Sequence, residues 1–312
     1  MSDTASLSMI PPAPEGFRSG FIGIVGRPNV GKSTLMNLLI GQKVAITSPI
    51  AQTTRNRLRG ILTTDTAQMI FVDTPGIHKP HHELGKVLVH NARMAITVVD
   101  VVLFVVDGSV PAGRGDAFIA ELLARQSTPV FLGLNKVDLR NDETAAAVTA
   151  SYQSLATAQG WPVAEFSALT GAGQSALQTQ LETALARGPY YYPPDLITDQ
   201  PERFIMGELI REQILHHTRE EVPHSVAIAI DCVEESKAIT RVLATIYVER
   251  DSQKGILIGK RGSMLKAIGS SAREQMQKLI LGKVYLELFV KVQPRWRQSR
   301  LHLGELGYQR EE

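Results

Sequence analysis

The chain has 312 residues, 44% hydrophobic, 21% charged and 6% aromatic, a composition that builds a buried core and excludes disordered, collagen-like and low-complexity classes. The net charge of +2 conceals a split: residues 253–300 hold 11 Lys and Arg against 2 acids, whereas 189–252 hold 6 against 12. That asymmetry predicts a local surface for a polyanion.

No apolar run approaches the roughly 18 residues of a membrane span; the longest candidate, Val98 to Val106, is interrupted by Asp100 and stops at Asp107. The first residues lack the basic start and apolar stretch of a secretory signal. Cys232 is the single cysteine, so no internal disulfide forms and a reducing, cytoplasmic location is expected.

At about 100 to 200 residues per domain, the length suggests two domains. After a polar leader (1–19), Phe21 to Gly26 reads as a short buried strand and Lys32 to Ile40 as a helix. Apolar runs then end at Asp73 and Asp107 or start at Pro129 and Pro162, with helix-length segments between them such as Asp116 to Arg125 and Asp142 to Gln159. Buried strands alternating with helices predict an α/β domain with a mostly parallel sheet over 20–188; the stretch near Leu58 adds an edge strand. Residues 189–201, rich in Tyr and Pro, read as a linker.

A smaller α+β region over 202–295 follows, in the order helix, strand, strand, helix, helix, strand, with a tail at 296–312. Glu202 to His217 has helical periodicity. A second long helix is expected from Ser263 to about Leu281, with Leu265, Ile268, Ala272, Met276 and Leu279 on its apolar face. Cys232 falls in phase with Ile228 and Ile230 on a strand and is assigned to the core.

The strongest chemical signal is Gly26-Arg27-Pro28-Asn29-Val30-Gly31-Lys32-Ser33, between a predicted strand and a predicted helix, the context of a phosphate-binding loop. Its glycines let backbone N–H groups curl around phosphates, with the helix N-terminus and Thr34 behind them. Lys32 is placed to reach the β- and γ-phosphates and Ser33 to ligate Mg²⁺.

Asn135-Lys136-Val137-Asp138 leaves a buried strand at the sheet edge where ligands bind. The Asp138 carboxylate can accept from the N1–H and N2–H₂ groups of guanine, donors that adenine lacks. After the next strand, Ser167-Ala168-Leu169 places a backbone N–H, that of Ala168, near guanine O6. Asp73-Thr74-Pro75-Gly76 ends another strand, with Asp73 toward Mg²⁺ and the Gly76 N–H toward the γ-phosphate. Thr53, ahead of Thr54, is the candidate to complete the Mg²⁺ shell in the GTP state.

These motifs, in this order over about 170 residues, resemble the translation-factor-like class of GTP-binding proteins. Ile77 follows the third motif where Ras-like GTPases carry Gln, so no side chain there orients the attacking water and slow hydrolysis is expected. The resemblance also implies that Asn29 holds a K⁺ ion acting in place of an arginine finger. Asn29, Lys32, Thr53 and Gly76 are thus the catalytic candidates.

The C-terminal region resembles a KH domain of the second topological type. Its Gly259-Lys260-Arg261-Gly262 loop between two helices matches the family's clamp for about four single-stranded nucleotides, with Ile258 and Lys266 flanking it. A GTPase joined to such a domain, with Ile197 to Phe204 between them, resembles the Era-type family of bacterial GTPases from Gly20 to Tyr308. That resemblance implies GTP and GDP binding, contact with the 3′ end of 16S ribosomal RNA and the 30S subunit, peripheral association with the inner membrane, and a monomer. The alternative is a GTP-binding module anchored to a membrane surface or a protein, whose KH fold binds no RNA. His78, His81 and His82 read as a solvated loop rather than a metal site, and Trp296 reads as packing or as a base-stacking residue.

Overall fold

The computed structural model describes residues 10–50, 53–77, 82–236, 238–280 and 282–308. The N-terminal half runs β1 (Arg18–Val25), α1 (Lys32–Ile40), β2 (Leu58–Thr63), β3 (Ala67–Asp73), α2 (Glu83–Thr97), β4 (Val101–Asp107), α3 (Arg114–Leu123), β5 (Val130–Asn135), α4 (Asp142–Thr157), β6 (Val163–Glu165) and α5 (Gln174–Ala184). Six strands form one sheet in the order β2-β3-β1-β4-β5-β6. All neighbours are parallel except the antiparallel edge pair β2 and β3.

Every residue of β3 is buried, as are the first six of β4. Strands covered on both faces lose the alternation of a half-buried sheet, which is why they appear in the sequence as unbroken Val, Ile and Phe runs. Parallel pairing also brings the carboxyl ends of β1, β3, β4, β5 and β6 to one edge, where four of the predicted motifs emerge.

The stretch read as a linker is pinned along β2. The Ile61 N–H donates to Ile197 O at 2.8 Å, the Thr198 hydroxyl to Arg59 O at 2.6 Å, and Arg59 pairs with Asp199 at 2.5 Å. The edge strand is thereby covered up to Asp199.

The C-terminal half runs α6 (Glu202–His217), α7 (Val222–Ser225), β7 (Ala227–Glu235), β8 (Ile239–Val248), α8 (Asp251–Ile258), α9 (Ser263–Met276), β9 (Lys283–Val292) and α10 (Arg300–Glu305). Its sheet is β7-β8-β9, antiparallel then parallel. Ile210 and Ile214 of α6, Ile268 and Ala272 of α9, and alternate residues of β8 make its core, each Ile or Val side chain contributing about 1.5–3 kcal/mol by leaving water. No helix among the described residues is long and apolar enough to cross a membrane.

The chain separates into two compact units that do not follow the sequence boundaries. The described residues of Ala45–Asn56 and Lys79–Asn91 group with Gln200–Glu312, and the rest form the first unit. Ile46 lies in the same apolar cluster as Met206 and Ile210.

Four local expectations are corrected. A bulge between Ile230 and Cys232 reverses the strand phase, leaving Cys232 half-buried with its thiol near the Glu234 carboxylate rather than in the core. The helix from Ser263 ends at Met276; Leu279 lies beyond it and is 49% exposed, while Leu281 lies outside the described residues. β1 starts at Arg18, within the expected leader. The described part of the supposed tail, residues 296–308, is packed: Trp296 is fully buried, donates its indole N–H to Ser225 O at 2.9 Å, and joins Leu84, Val87, Leu88, Leu303 and Tyr308 in one cluster.

Candidate functional site

The loop after β1 places a residue in left-handed backbone at Asn29 (φ 64°) and again at Gly31 (φ 97°), just before α1. Gly31 is required by a close approach, since an added Cβ would lie 2.2 Å from the Asn135 amide nitrogen. No acidic residue occupies the first turn of α1, so its N-terminal end favours an anion.

Lys32 is buried (6% exposed), and its ammonium donates to Gly26 O at 3.2 Å and Arg27 O at 2.9 Å. Burial lowers its pKa to about 8, partly offset by the Asp73 carboxylate. The Ser33 hydroxyl donates to Asp73 Oδ2 at 2.6 Å, joining the phosphate loop to the end of β3. A hydroxyl and a carboxylate at that spacing are hard oxygen donors of the kind Mg²⁺ takes.

The loop after β3 is stitched to the same place. The Thr74 hydroxyl, fully buried, donates to Ile24 O at 2.8 Å, and the Ile77 N–H to Gly26 O at 3.2 Å. Ile77 is itself 3% exposed within the sheet core, so the position after Gly76 presents no polar side chain. His78 and His81 lie outside the described residues, and no cluster able to hold a metal through His, Cys, Asp and Glu alone occurs among those described.

Asn135 ties the base-side loops to the phosphate loop. Its amide nitrogen donates to Val30 O at 2.8 Å, while its oxygen accepts from the N–H groups of Lys136 at 2.7 Å and Ala168 at 2.8 Å. Any acceptor arriving at the Ala168 N–H, the position expected for guanine O6, would compete with Asn135 for that donor. Asp138 is exposed at the start of a short 3-10 turn, and Leu169 is 78% exposed.

Three supporting residues escaped the sequence reading. Asp107, closing β4, accepts from Lys136 at 2.7 Å and Ser109 at 2.6 Å; burial alone would raise its pKa, but these bonds hold the carboxyl below its ordinary value. Asp116, fully buried at the start of α3, pairs with Arg27 at 2.7 Å and caps the Gly113 N–H at 2.9 Å. Arg140 reaches Gly108 O at 2.9 Å and Glu165 at 2.7 Å. Only the ends of the buried strands signal the first of these; nothing local signals the other two.

The structure brings Gly26–Thr34, Asp73–Gly76, Asn135–Asp138 and Ser167–Leu169 to one sheet edge. Thr53 belongs to the second compact unit. Its hydroxyl donates to Ile50 O at 2.7 Å, and its carbonyl accepts from Arg211.

In the second unit, α8 ends at Gly259 and α9 begins after Gly262, with left-handed or extended positive-φ backbone at Gly259, Arg261 and Gly262. Lys260, Arg261 and Lys266 are exposed and Ile258 is partly buried. The N-terminus of α9 has neither a side-chain cap nor an acid in its first turn, which leaves backbone donors toward an anion. A groove of about 330 Å³ runs from Gly262 along Lys266, Gly269, Ser270 and Arg273 of α9, with Tyr285 to Leu288 of β9 as its other wall. The β9 wall was not foreseen, because only the sheet order makes this strand an edge.

Residues 21–136 match the family described as 50S ribosome-binding GTPase, and 221–297 match the KH domain family. A GTPase Era from Nostoc sp. is 73% identical over 97% of this chain and 93% of its own length, and one from Rippkaea orientalis is 69% identical over 97% and 96%. The chain belongs to the Era family of GTPases. A crystal structure of Era with MgGDPNP and nucleotides 1506–1542 of 16S ribosomal RNA superposes with TM-score 0.89 at 36% identity, covering 94% of this chain and 99% of that one. An Aquifex aeolicus Era variant bound to GDP and AlF4⁻ superposes equally well. The Era assignment makes this chain a P-loop enzyme that binds GTP with Mg²⁺ and hydrolyses it, with a C-terminal KH fold.

Proposed function

We propose that this GTPase binds the 3′ end of 16S ribosomal RNA through its KH unit, in a manner set by the bound nucleotide, and so times a step in assembly of the 30S subunit. The observation that carries the reading is the exposed Gly259-Lys260-Arg261-Gly262 loop at an uncapped helix N-terminus, opening into a groove walled by a strand edge. Phosphates fit the loop and helix end, and bases fit the groove. The similarity to an Era solved with 16S nucleotides supports the choice of RNA.

In the nucleotide site, Lys32 neutralises the β- and γ-phosphates, Ser33 and Asp73 serve Mg²⁺, and Thr53 joins them when GTP is bound. Gly76 offers its N–H to the γ-phosphate, and Asp138 with Ala168 selects guanine. Asn29, exposed in the phosphate loop, would hold K⁺, which would supply positive charge beside the phosphates. With Ile77 buried, no side chain at that position orients water, and slow turnover follows unless a backbone group or the ribosome supplies that role. The proposed working unit is a monomer in the cytoplasm, with both sites built from residues of one chain; any peripheral membrane contact would use the same exposed cations.

The test is the affinity for a short single-stranded RNA copying the 16S 3′ end, measured with a non-hydrolysable GTP analogue, with GDP and without nucleotide. Binding that changes with nucleotide and is lost in Gly262→Asp supports the proposal. RNA affinity absent in every state, with binding to anionic vesicles instead, overturns it.

A further inference from the structure

The segment that carries Thr53 is built into the second unit by two buried arginines that no nucleotide or RNA role explains. Arg211 of α6 is 1% exposed. Its guanidinium is paired with both carboxylate oxygens of Glu208, Nε to Oε1 at 2.8 Å and Nη2 to Oε2, and Nη2 also donates to the Thr53 carbonyl. Two residues on, Arg55 is 2% exposed and donates to Pro223 O at 2.9 Å and to Val226 O. Ile46 enters the core beside Ile210, and the Thr47 N–H donates to Glu212 Oε1 at 3.0 Å. The Thr53 hydroxyl is turned back on its own segment, toward Ile50 O at 2.7 Å.

We infer that Arg211 is a positioning residue that restrains Thr53, so that GTP has to draw the segment off α6 before Thr53 meets Mg²⁺. The inference rests on the reading of Thr53 as a Mg²⁺ ligand of the GTP state. A carbonyl held by a buried, ion-paired guanidinium is costly to release, because the donor is then left without its acceptor inside the protein. The same α6 packs Ile210 and Ile214 against Ile268 and Ala272 of α9, the helix that starts at Gly262. Nucleotide state and the RNA loop thus meet in one helix. A ligand shifts such an equilibrium only by its differential affinity for the two arrangements, and that difference is assigned to the Thr53 contact.

The experiment is a competition titration on the full chain without RNA, reading the ratio of affinities for GDPNP and GDP. Arg211→Met keeps the volume and apolar stem while removing the donor. It is expected to raise the GDPNP-to-GDP affinity ratio about fivefold with GDP affinity unchanged, and Arg211→Lys, which keeps one donor, is expected to lie between it and the parent. Thr53→Ala added to Arg211→Met should abolish the gain, which a merely structural effect would not do. An unchanged ratio in both Arg211 variants, an equal shift for both nucleotides, or a gain that survives Thr53→Ala overturns the inference. Thr53→Ala alone separates the two claims: an unchanged ratio there removes the Mg²⁺ reading of Thr53 and the restraint together, whereas a lowered ratio with inert Arg211 variants removes the restraint only.

Discussion

The Asn135 amide nitrogen donates to the Val30 carbonyl at 2.8 Å, so the loop that leaves β5 holds the loop that leaves β1. Asn135→Ala removes this bond and the two its oxygen accepts, leaving buried donors unsatisfied at about 1–3 kcal/mol each. A drop in nucleotide affinity of at least tenfold and a lowered melting temperature are expected. Nucleotide titration and thermal unfolding check both, and wild-type affinity in the variant would dissolve the linkage.

Lys32 gives a pH dependence. In the free protein its pKa is about 8 because burial disfavours the cation. Phosphates favour that cation, so the bound pKa is higher and binding takes up a proton once the pH exceeds about 8. The sign follows: affinity is flat below that pH and falls as pH rises, by up to about tenfold per unit. Calorimetric titration of GDP between pH 7 and 9 should show this fall for the parent and a flat, weaker profile for Lys32→Met.

Asp138→Asn replaces an acceptor-only carboxylate with an amide that presents a donor to guanine N1–H or N2–H₂. GTP affinity should drop at least tenfold and the preference for GTP over xanthosine triphosphate should shrink or invert. An unaltered preference would place the base elsewhere.

The two glycines of the loop between α8 and α9 should behave differently. At Gly259 (φ 69°, ψ 177°) an added Cβ would lie 2.7 Å from Met264 Cβ and 2.9 Å from its backbone nitrogen, so Gly259→Ala is expected to lower the melting temperature by several degrees. Gly262 (φ 79°, ψ 9°) faces open space, and its left-handed backbone is one that Asp tolerates better than most residues. Gly262→Asp should fold and lose RNA affinity through the added charge, which circular dichroism and an RNA titration read side by side.

Trp296→Ala empties a fully buried site and frees the Ser225 carbonyl. A loss of about 3–5 kcal/mol is expected by denaturant unfolding; a loss below about 1 kcal/mol would show that residues beyond 295 are dispensable.

Much of the first unit was legible because its strands are buried on both faces and its motifs depend on local spacing. Ser33 and Asp73, forty residues apart, were each assigned to Mg²⁺ from residue type and motif context, and the structure places the Ser33 hydroxyl 2.6 Å from Asp73 Oδ2. What stayed hidden depends on register or on long-range packing. The bulge before Cys232 shifts a two-residue period that the sequence carries unbroken. Asp116 looks like an ordinary helix-start acid until Arg27 is placed beside it. The burial of Arg55 and Arg211 has no local signal, since carbonyls from distant segments enclose them.

The grouping of Ala45–Asn56 and Lys79–Asn91 with the C-terminal residues bears on how the chain is made. Synthesis runs from the N-terminus, and segments begin to fold as they emerge. A nascent chain released as far as Asp199 already contains every strand of the six-stranded sheet, yet Ile46, Leu84 and Val87 still lack their packing partners Ile210, Trp296 and Leu303. The first sheet can therefore close while these two segments wait for residues made after it, and full burial of their apolar side chains comes only with the second unit.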